Sequence, residues 1–490
     1  MKNRSVKVNA FFNTFKEFLD LAVPLITFPY ITRVLLPDNL GKVQFATSIV
    51  AMFAYFASLG IPLYGVRKIA AVKNDINARS RIFFSILVIE SVLTVLVYIA
   101  FFISIFAVDK FNKEIALYLI LGMRIGLKIF GFEWFFKGME EYRFMATRNM
   151  ISKIIGVFLI FWLIKGPEDY MLYGLISIIT DFFSKFLNFI NLKKMVGKVS
   201  RDELDIKEHI SGYVSFFLVF ISAKIYADID KVMLGFISTN ASVSYYVTAN
   251  KLINIIKAMF IAASSVLIPR FSYLIAQGQS HKFKPLAQKA FSIIFFLPIP
   301  AMAGLYLLAD EVVLMFGGPK YLPAVLTMKI LLPILFLLPL KSFVGKQILI
   351  TFGQHKIVLM SVTMATVLNI ILNSFLISRY SQNGAAVATL VSEVIIITLE
   401  ILVGYKYFKD LELNVPRNFI YIVATFFMTA CVFFSKRYLT AGFAPMSQIL
   451  ASSLIGAVSY FLFLLLFREN LFLPMIFKMI TGKKGGKKDD

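Results

Sequence analysis

IFFSILVIESVLTVLVYIAFFISIFA, residues 82–107, carries one charged side chain, Glu90, in 26 positions. A hydrocarbon core of about 30 Å needs roughly 20 apolar residues in a helix to cross it. Backbone in lipid must bond to itself, so a helix is the economical form for a segment of this length. The stretch therefore predicts a membrane-spanning helix. Thirteen more segments of this kind surround it, at 8–36, 42–68, 114–136, 143–164, 170–192, 209–237, 241–275, 285–316, 321–352, 356–378, 383–405, 418–435 and 446–467. The expected fold is an all-α integral membrane protein with fourteen transmembrane helices.

Composition agrees. Of 490 residues 59% are hydrophobic and 52 are Phe, and no gap between segments is long enough for a separate soluble domain. The longest polar stretch runs from about Lys193 to Glu208. A lone cysteine, Cys431, excludes an internal disulfide and a Cys metal cluster. His209, His281 and His355 all fall at expected connections, which leaves no intramembrane histidine site and no metal spacing. The first segment carries Lys16, Glu17 and Asp20 and lacks a small-residue cleavage site, so it reads as a retained helix.

A net charge of +23 raises the question of nucleic acid, but its placement answers it. With a cytoplasmic N-terminus, 29 Lys and Arg residues fall in the inside segments and tail and seven fall outside. That alternation predicts both termini in the cytoplasm, puts the inside loops beside anionic headgroups and excludes a nucleic-acid partner.

The two halves repeat weakly. Gly174–Asp181 and Ala386–Glu393 each end on a hydroxyl and an acid, and Thr32–Leu35 pairs with Asp230–Met233. The organisation expected is an N-terminal lobe over 1–195 with helices one to six, a cytoplasmic linker at 196–208, and a C-terminal lobe over 209–408 with helices seven to twelve. A helix pair at 409–470 and a basic cytoplasmic tail at 471–490 follow. An even repeat unit gives the lobes the same orientation, as in carriers that hold substrate between halves.

Fifteen charged residues fall well inside these segments: Lys16, Glu17, Asp20, Glu90, Arg124, Lys128, Lys153, Asp181, Lys185, Lys224, Asp228, Lys251, Lys257, Lys341 and Glu393. Facing lipid, they would cost on the order of 40 kcal/mol, more than the roughly 5–15 kcal/mol that holds a typical fold together. They must face a water-filled cavity or one another. In the first helix Asn9, Asn13, Lys16, Asp20, Pro24 and Thr27 form a polar stripe, as a cavity wall requires. Pro24 and Pro29 each remove a backbone donor and let that helix bend.

Plainer roles compete. Asp228 one turn from Lys224 and Lys231 can serve only to neutralise them. Lys153 and Lys185 can snorkel to an interface. Glu90 can be a protonated, hydrogen-bonded packing residue. Arg124, Lys128, Lys251 and Lys257 have no acid one turn away in their own helix. An excess of Lys and Arg concentrates anions, and phosphate suits both side chains. The cavity cations expected to bind cargo are Lys16, Arg124, Lys128, Lys224, Lys251, Lys257 and Lys341. Asp20, Asp228 and Glu393 are candidates for a coupling ion. No phosphate loop, metal spacing or nucleophile with its base is present, so the class expected is a carrier, not an enzyme.

Phe28-Pro29-Tyr30-Ile31-Thr32-Arg33-Val34-Leu35-Leu36-Pro37, then Leu40-Gly41, Leu59-Gly60-Ile61 and Tyr64-Gly65-Val66-Arg67, resembles the start of the bacterial polysaccharide repeat-unit (O-antigen type) flippases. These belong to the multidrug/oligosaccharidyl-lipid/polysaccharide exporter superfamily. Glu133-Trp134-Phe135-Phe136-Lys137-Gly138-Met139-Glu140-Glu141-Tyr142 is similar to their aromatic-Gly-Glu segment, and Asn383-Gly384-Ala385-Ala386 with Ser392-Glu393 to their twelfth helix. Tyr245, Tyr246, Ala249 and Lys251 fit the second-lobe segment.

The resemblance implies two six-helix lobes in a V, a MATE-like exporter fold, plus the C-terminal helix pair. It implies alternating access and an undecaprenyl-diphosphate-linked oligosaccharide, of O-antigen, capsule or exopolysaccharide type, moved from the cytoplasmic to the outer leaflet. It implies no cofactor, H+ or Na+ as coupling ion, and a place in the bacterial cytoplasmic (inner) membrane. Membrane lipids, a polysaccharide polymerase and a chain-length regulator are the partners implied. A cation-coupled drug or metabolite exporter and a lipid II flippase share the fold and stay open as alternatives. A polymerase or ligase would need a sizeable outside loop, and the outside loops here are short.

Overall fold

The computed structural model describes the backbone of residues 6–469 except 59, 266 and 414, and most side chains within that span. Among the described residues every regular element is helical. Nine segments among the described residues are long and apolar enough to cross a membrane. Two of these, Ala22–Ser58 and His355–Val403, each overlap two of the expected segments. Of the expected segments outside the nine, one is the shorter Ile115–Leu127 helix. The others are the Ile206–Ile237 helix, with Lys224, Asp228, Asp230 and Lys231, and the Asn240–Ser265 helix, with Lys251 and Lys257.

Breaks fall where chemistry puts them. The Val6–Ser58 helix runs through Pro24 and Pro29 but leaves helical geometry at Leu36, with φ 61° and ψ 166°. Pro37 follows and disfavours the α conformation in the residue before it. The second long helix, His355–Val403, turns at Ser381, with φ 48°. The first break falls on the last residue of the expected 8–36 segment and the second between 356–378 and 383–405.

The chain forms two compact units, one comprising Met1–Val247 with Ile370–Ala385 and the other Thr248–Asn369 with Ala386–Asp490. In the first, the Ile76–Ala107 helix shows how the opening stretch works. Phe83, Ile86, Ile89, Glu90, Thr94, Phe101 and Ile105 are buried, whereas Val92, Val95, Leu96, Ile99, Phe102, Ile103 and Phe106 are exposed. The exposed set recurs at three- and four-residue spacing and is wholly apolar, the face a helix offers to lipid. The buried side packs into an aromatic cluster with Tyr64, Phe132, Trp134, Phe135 and Phe136. Gly41 lets the Val6–Ser58 helix meet the start of the Asn240–Ser265 helix, since a Cβ there would lie 1.9 Å from the Asn240 carbonyl oxygen.

In the second unit, one cluster gathers Phe271, Phe283, Phe291, Phe343 and Leu349, and another gathers Phe296, Tyr421, Met428 and Tyr460. π-Helical turns over Ser342–Ile350 place Gly345 against Glu400, whose carboxyl oxygens a Cβ at Gly345 would meet at 2.9 and 3.0 Å.

Candidate functional site: a cationic cavity in the first unit

Within the first unit the helices Val6–Ser58, Ile76–Ala107, Ile115–Leu127, Glu133–Gly138, Tyr142–Leu163 and Tyr170–Leu192 enclose a cavity of about 680 Å³. Six basic side chains line it (Arg124, Lys128, Lys137, Arg148, Lys153 and Lys185) against three acids, Glu90, Glu133 and Asp181. The formal balance of the wall is therefore positive by three charges.

Local structure fixes these side chains. The Ile115–Leu127 helix ends at Lys128, and Phe132 adopts φ 47° before the Glu133–Gly138 helix begins. Asn188 spans this break: its side-chain amide donates to the Gly131 carbonyl and its Oδ1 accepts from Arg148 Nη1. Arg148 is 2% exposed and also donates to Asn149 Oδ1 at 2.7 Å and to Glu133 Oε1 at 3.4 Å. A planar guanidinium can serve these acceptors together, which an ammonium cannot.

Arg124 Nε donates to Asp181 Oδ2 at 2.8 Å and Nη2 to Ser177 Oγ at 3.2 Å. Lys185 Nζ lies 3.7 Å from the same Asp181 oxygen. Arg124 thus has its acid from another helix, 57 positions along the chain. Lys128 Nζ donates to the Ala54 carbonyl at 2.6 Å and sits 5.7 Å from the Tyr55 ring centre. Lys224 Nζ approaches the same ring at 5.4 Å. Tyr55 OH donates to Asp228 Oδ2 at 2.6 Å, and Asp228 pairs with Lys231. Tyr55 is the point on which Lys128, Lys224 and Asp228 converge.

Of the other expected residues, the side chains of Lys16 and Asp20 lie outside the described residues. Lys251, Lys257, Lys341 and Glu393 belong to the second unit. There Lys341 Nζ and Glu393 Oε2 meet at 2.5 Å, with Glu393 6% exposed.

Three cavity residues escaped the reading of the sequence. Arg148 and Lys137 are absent from the charges singled out within the segments, although Arg148, Ser152 and Gly156, four residues apart, form a stripe that would have flagged the face. Glu133 stood only in an aromatic motif. Asp230, singled out in the sequence only as part of the repeat, is 5% exposed and accepts from Tyr246 OH at 2.6 Å and from Asn373 Nδ2 at 2.7 Å.

The fold is that of known exporters and flippases. It superimposes on a structure titled "Lipid II flippase MurJ, inward closed conformation" with TM-score 0.74 and 16% identity, covering 97% of this chain and all of that one. A multidrug resistance MATE family transporter of the MOP superfamily, in its inward-facing conformation, gives TM-score 0.61 at 13% identity over 81% of this chain and 96% of its own. These likenesses define an all-α integral membrane protein with a MATE-like exporter fold.

The sequence comparisons go further. The chain belongs to the polysaccharide biosynthesis protein family, whose sequence model matches residues 6–275. It is 22% identical over 398 residues to an Escherichia coli K12 protein named "Putative O-antigen transporter", covering 81% of this chain and 95% of that one.

Proposed function

We propose that this protein is a flippase for lipid-linked oligosaccharides. It moves undecaprenyl-diphosphate-linked polysaccharide repeat units from the cytoplasmic to the outer leaflet of a bacterial cytoplasmic membrane. The observation that carries this reading is the wall of the first-unit cavity, six cations to three acids, in a chain of the polysaccharide biosynthesis family. An apolar cavity with one acidic centre would suit cationic drugs; a basic one suits a diphosphate and acidic sugars.

In this mechanism the diphosphate enters the cavity and exchanges with the acids that occupy its cations. Arg124 turns from Asp181, and Lys128 from the Ala54 carbonyl, at little cost because each trades one polar partner for a better one. Lys16, Lys224, Lys251, Lys257 and Lys341 are the further cations assigned to the cargo in this reading. The polyprenyl tail stays in lipid, so the membrane need only pass the headgroup. Alternating access then opens the path to the other side. A proton or sodium ion taken by Asp20, Asp228 or Glu393 biases that exchange; at Asp228 and Glu393 it would release Lys231 and Lys341 from their pairs. Both termini lie in the cytoplasm, and the delivered unit passes to a polymerase and its chain-length regulator.

Replacing Arg124 and Lys128 together by Ala tests the site in cells. Surface polymer should disappear while the protein level in the membrane stays near wild type, and normal polymer in the double variant would remove both residues from the site. A peptidoglycan precursor presents the same diphosphate. Deletion of the gene should abolish surface polysaccharide and spare viability; loss of viability with polysaccharide intact would assign the precursor instead.

A further inference from the structure

Beside the cationic cavity the first unit holds a second hollow, a groove of about 380 Å³ between the Ile76–Ala107 and Tyr170–Leu192 helices and the break at 128–132. The two share only Phe132 among their lining residues. Nine of the groove's eleven lining residues are apolar, and the other two are Ser91 and Lys193. Ser91 Oγ donates to the Leu87 carbonyl of its own helix at 2.7 Å, so its proton is already committed. Phe130 and Phe189, whose rings meet edge to face at 6.3 Å, are both exposed and leave the groove open to the unit's surface. The interior suits a hydrocarbon chain.

Length and charge say whose chain. Along the Ile76–Ala107 helix the lining runs from Phe83 to Ser91, eight residues or about 12 Å, most of the roughly 15 Å that one leaflet contributes to the hydrocarbon core. One end of the groove is basic. Residues 193–201 carry Lys193, Lys194, Lys198 and Arg201 and no acid. Lys193 Nζ lies 4.8 Å from the centre of the Phe189 ring. This segment is held down on the helix start: Arg79, 7% exposed, donates to the Met195 carbonyl at 2.8 Å, and the Gly197 amide donates to Ser80 Oγ at 2.8 Å. Met195 and Val196 pack on the aromatic cluster. The distribution of Lys and Arg assigns this end to the cytoplasm, where anionic headgroups lie.

An apolar hollow facing hydrocarbon forfeits the contacts of its lining unless a chain fills it. A groove one leaflet deep, with lysines fixed at its headgroup end, selects a lipid of that leaflet that carries negative charge. We infer that the groove is a binding site for an anionic phospholipid, with one acyl chain along Phe83, Leu87 and Ser91 and the phosphate on Lys193, Lys194 and Lys198. The site does not depend on what the cationic cavity carries.

The test uses the full chain with Trp162→Phe in phosphatidylcholine nanodiscs. The chain has two tryptophans, so the emission then reports Trp134 alone. The Trp134 ring stacks at 5.7 Å on Phe83, which lines the groove. Dibrominated acyl chains quench tryptophan only at short range. Half-maximal quenching should come at a mole fraction at least about tenfold lower for dibrominated phosphatidylglycerol than for dibrominated phosphatidylcholine. Lys193→Gln/Lys194→Gln/Lys198→Gln should erase the difference. Ser91→Phe and Leu87→Phe, which fill the groove and leave the lysines, should each erase it too. Arg124→Ala/Lys128→Ala should keep it.

Equal quenching by the two lipids before any of these changes overturns the proposal. So does a difference that survives the lysine variant or the groove-filling variants. Loss of the difference in Arg124→Ala/Lys128→Ala moves the lipid to the cationic cavity and overturns the groove site as well. The three lysines are exposed, so their variant decides even where a groove-filling variant does not fold.

Discussion

Neutralising one charge of each sign on the cavity wall gives predictions of opposite direction. A cavity of about 680 Å³, taken as a sphere, places a wall charge about 5.5 Å from a centred dianion, where it contributes about 1.5 kcal/mol at the dielectric of water and about 6 kcal/mol at an effective value of about 20. The Debye length of about 8 Å at physiological ionic strength exceeds that separation, so salt does not erase the effect. Lys185→Gln removes a cation that lies 3.7 Å from Asp181 and leaves Asp181 its 2.8 Å bond to Arg124. It takes the wall from three net positive charges to two. Asp181→Asn keeps the shape, frees Arg124 and raises the balance to four. Affinity for dimethyl diphosphate, measured by titration calorimetry, should fall at least about tenfold in the first and rise in the second, since about 1.4 kcal/mol is a factor of ten. Changes in the same direction, or both under about twofold, would refute the electrostatic account.

Three further outcomes follow from the packing. Lys341→Met removes the ammonium that lies 2.5 Å from Glu393 Oε2 and should lower stability by up to about 3–5 kcal/mol, with most of it recovered in Lys341→Met/Glu393→Gln by thermal unfolding in detergent. Gly41→Ala sets a Cβ 1.9 Å from a backbone oxygen that has no rotamer to yield, so its cost should exceed the roughly 1–3 kcal/mol of ordinary overpacking and remove the monodisperse peak in size exclusion. Asp75 caps the Ile76–Ala107 helix, accepting from the Asn77 and Ala78 amides at 2.9 and 3.0 Å. Those bonds hold its carboxyl below the ordinary value of 3.8. The cap is therefore present above that value and lost as pH falls through the lower folded value. The melting difference between wild type and Asp75→Ala should accordingly be full at pH 7 and vanish in strong acid, and a pH-independent difference would count against the cap.

What could be read from sequence is what depends on local chemistry. Apolar length set the expected segments, and the first of them ends at 36, where the Val6–Ser58 helix leaves helical geometry; the bend expected at Pro24 and Pro29 is not where the backbone breaks. The motif from Phe28 to Pro37 led to the family that the match over 6–275 shows. What could not be read depends on which helices pack side by side. Arg124 lacks an acid within its own helix, and only folding brings Asp181 to it from 57 residues away. Lys341 and Glu393 are 52 apart. Arg148 looked like a loop charge because it lies near a helix start, yet Asn188, from a different helix, holds it buried. The net sign of the cavity needed only composition; the arrangement of its ion pairs needed contacts that spacing along one chain does not encode.

The central claim is that the cationic cavity carries a lipid-linked diphosphate sugar across the bilayer. Its most direct measurement is leaflet-to-leaflet movement of an undecaprenyl-diphosphate oligosaccharide in liposomes reconstituted with the purified protein. The oligosaccharide exposed at the outer surface is followed with a membrane-impermeant reagent. The account predicts that wild-type protein equilibrates or vectorially moves the lipid and that Arg124→Ala/Lys128→Ala returns the rate to that of protein-free vesicles. Wild-type vesicles indistinguishable from empty ones, or a double variant as fast as wild type, would contradict it.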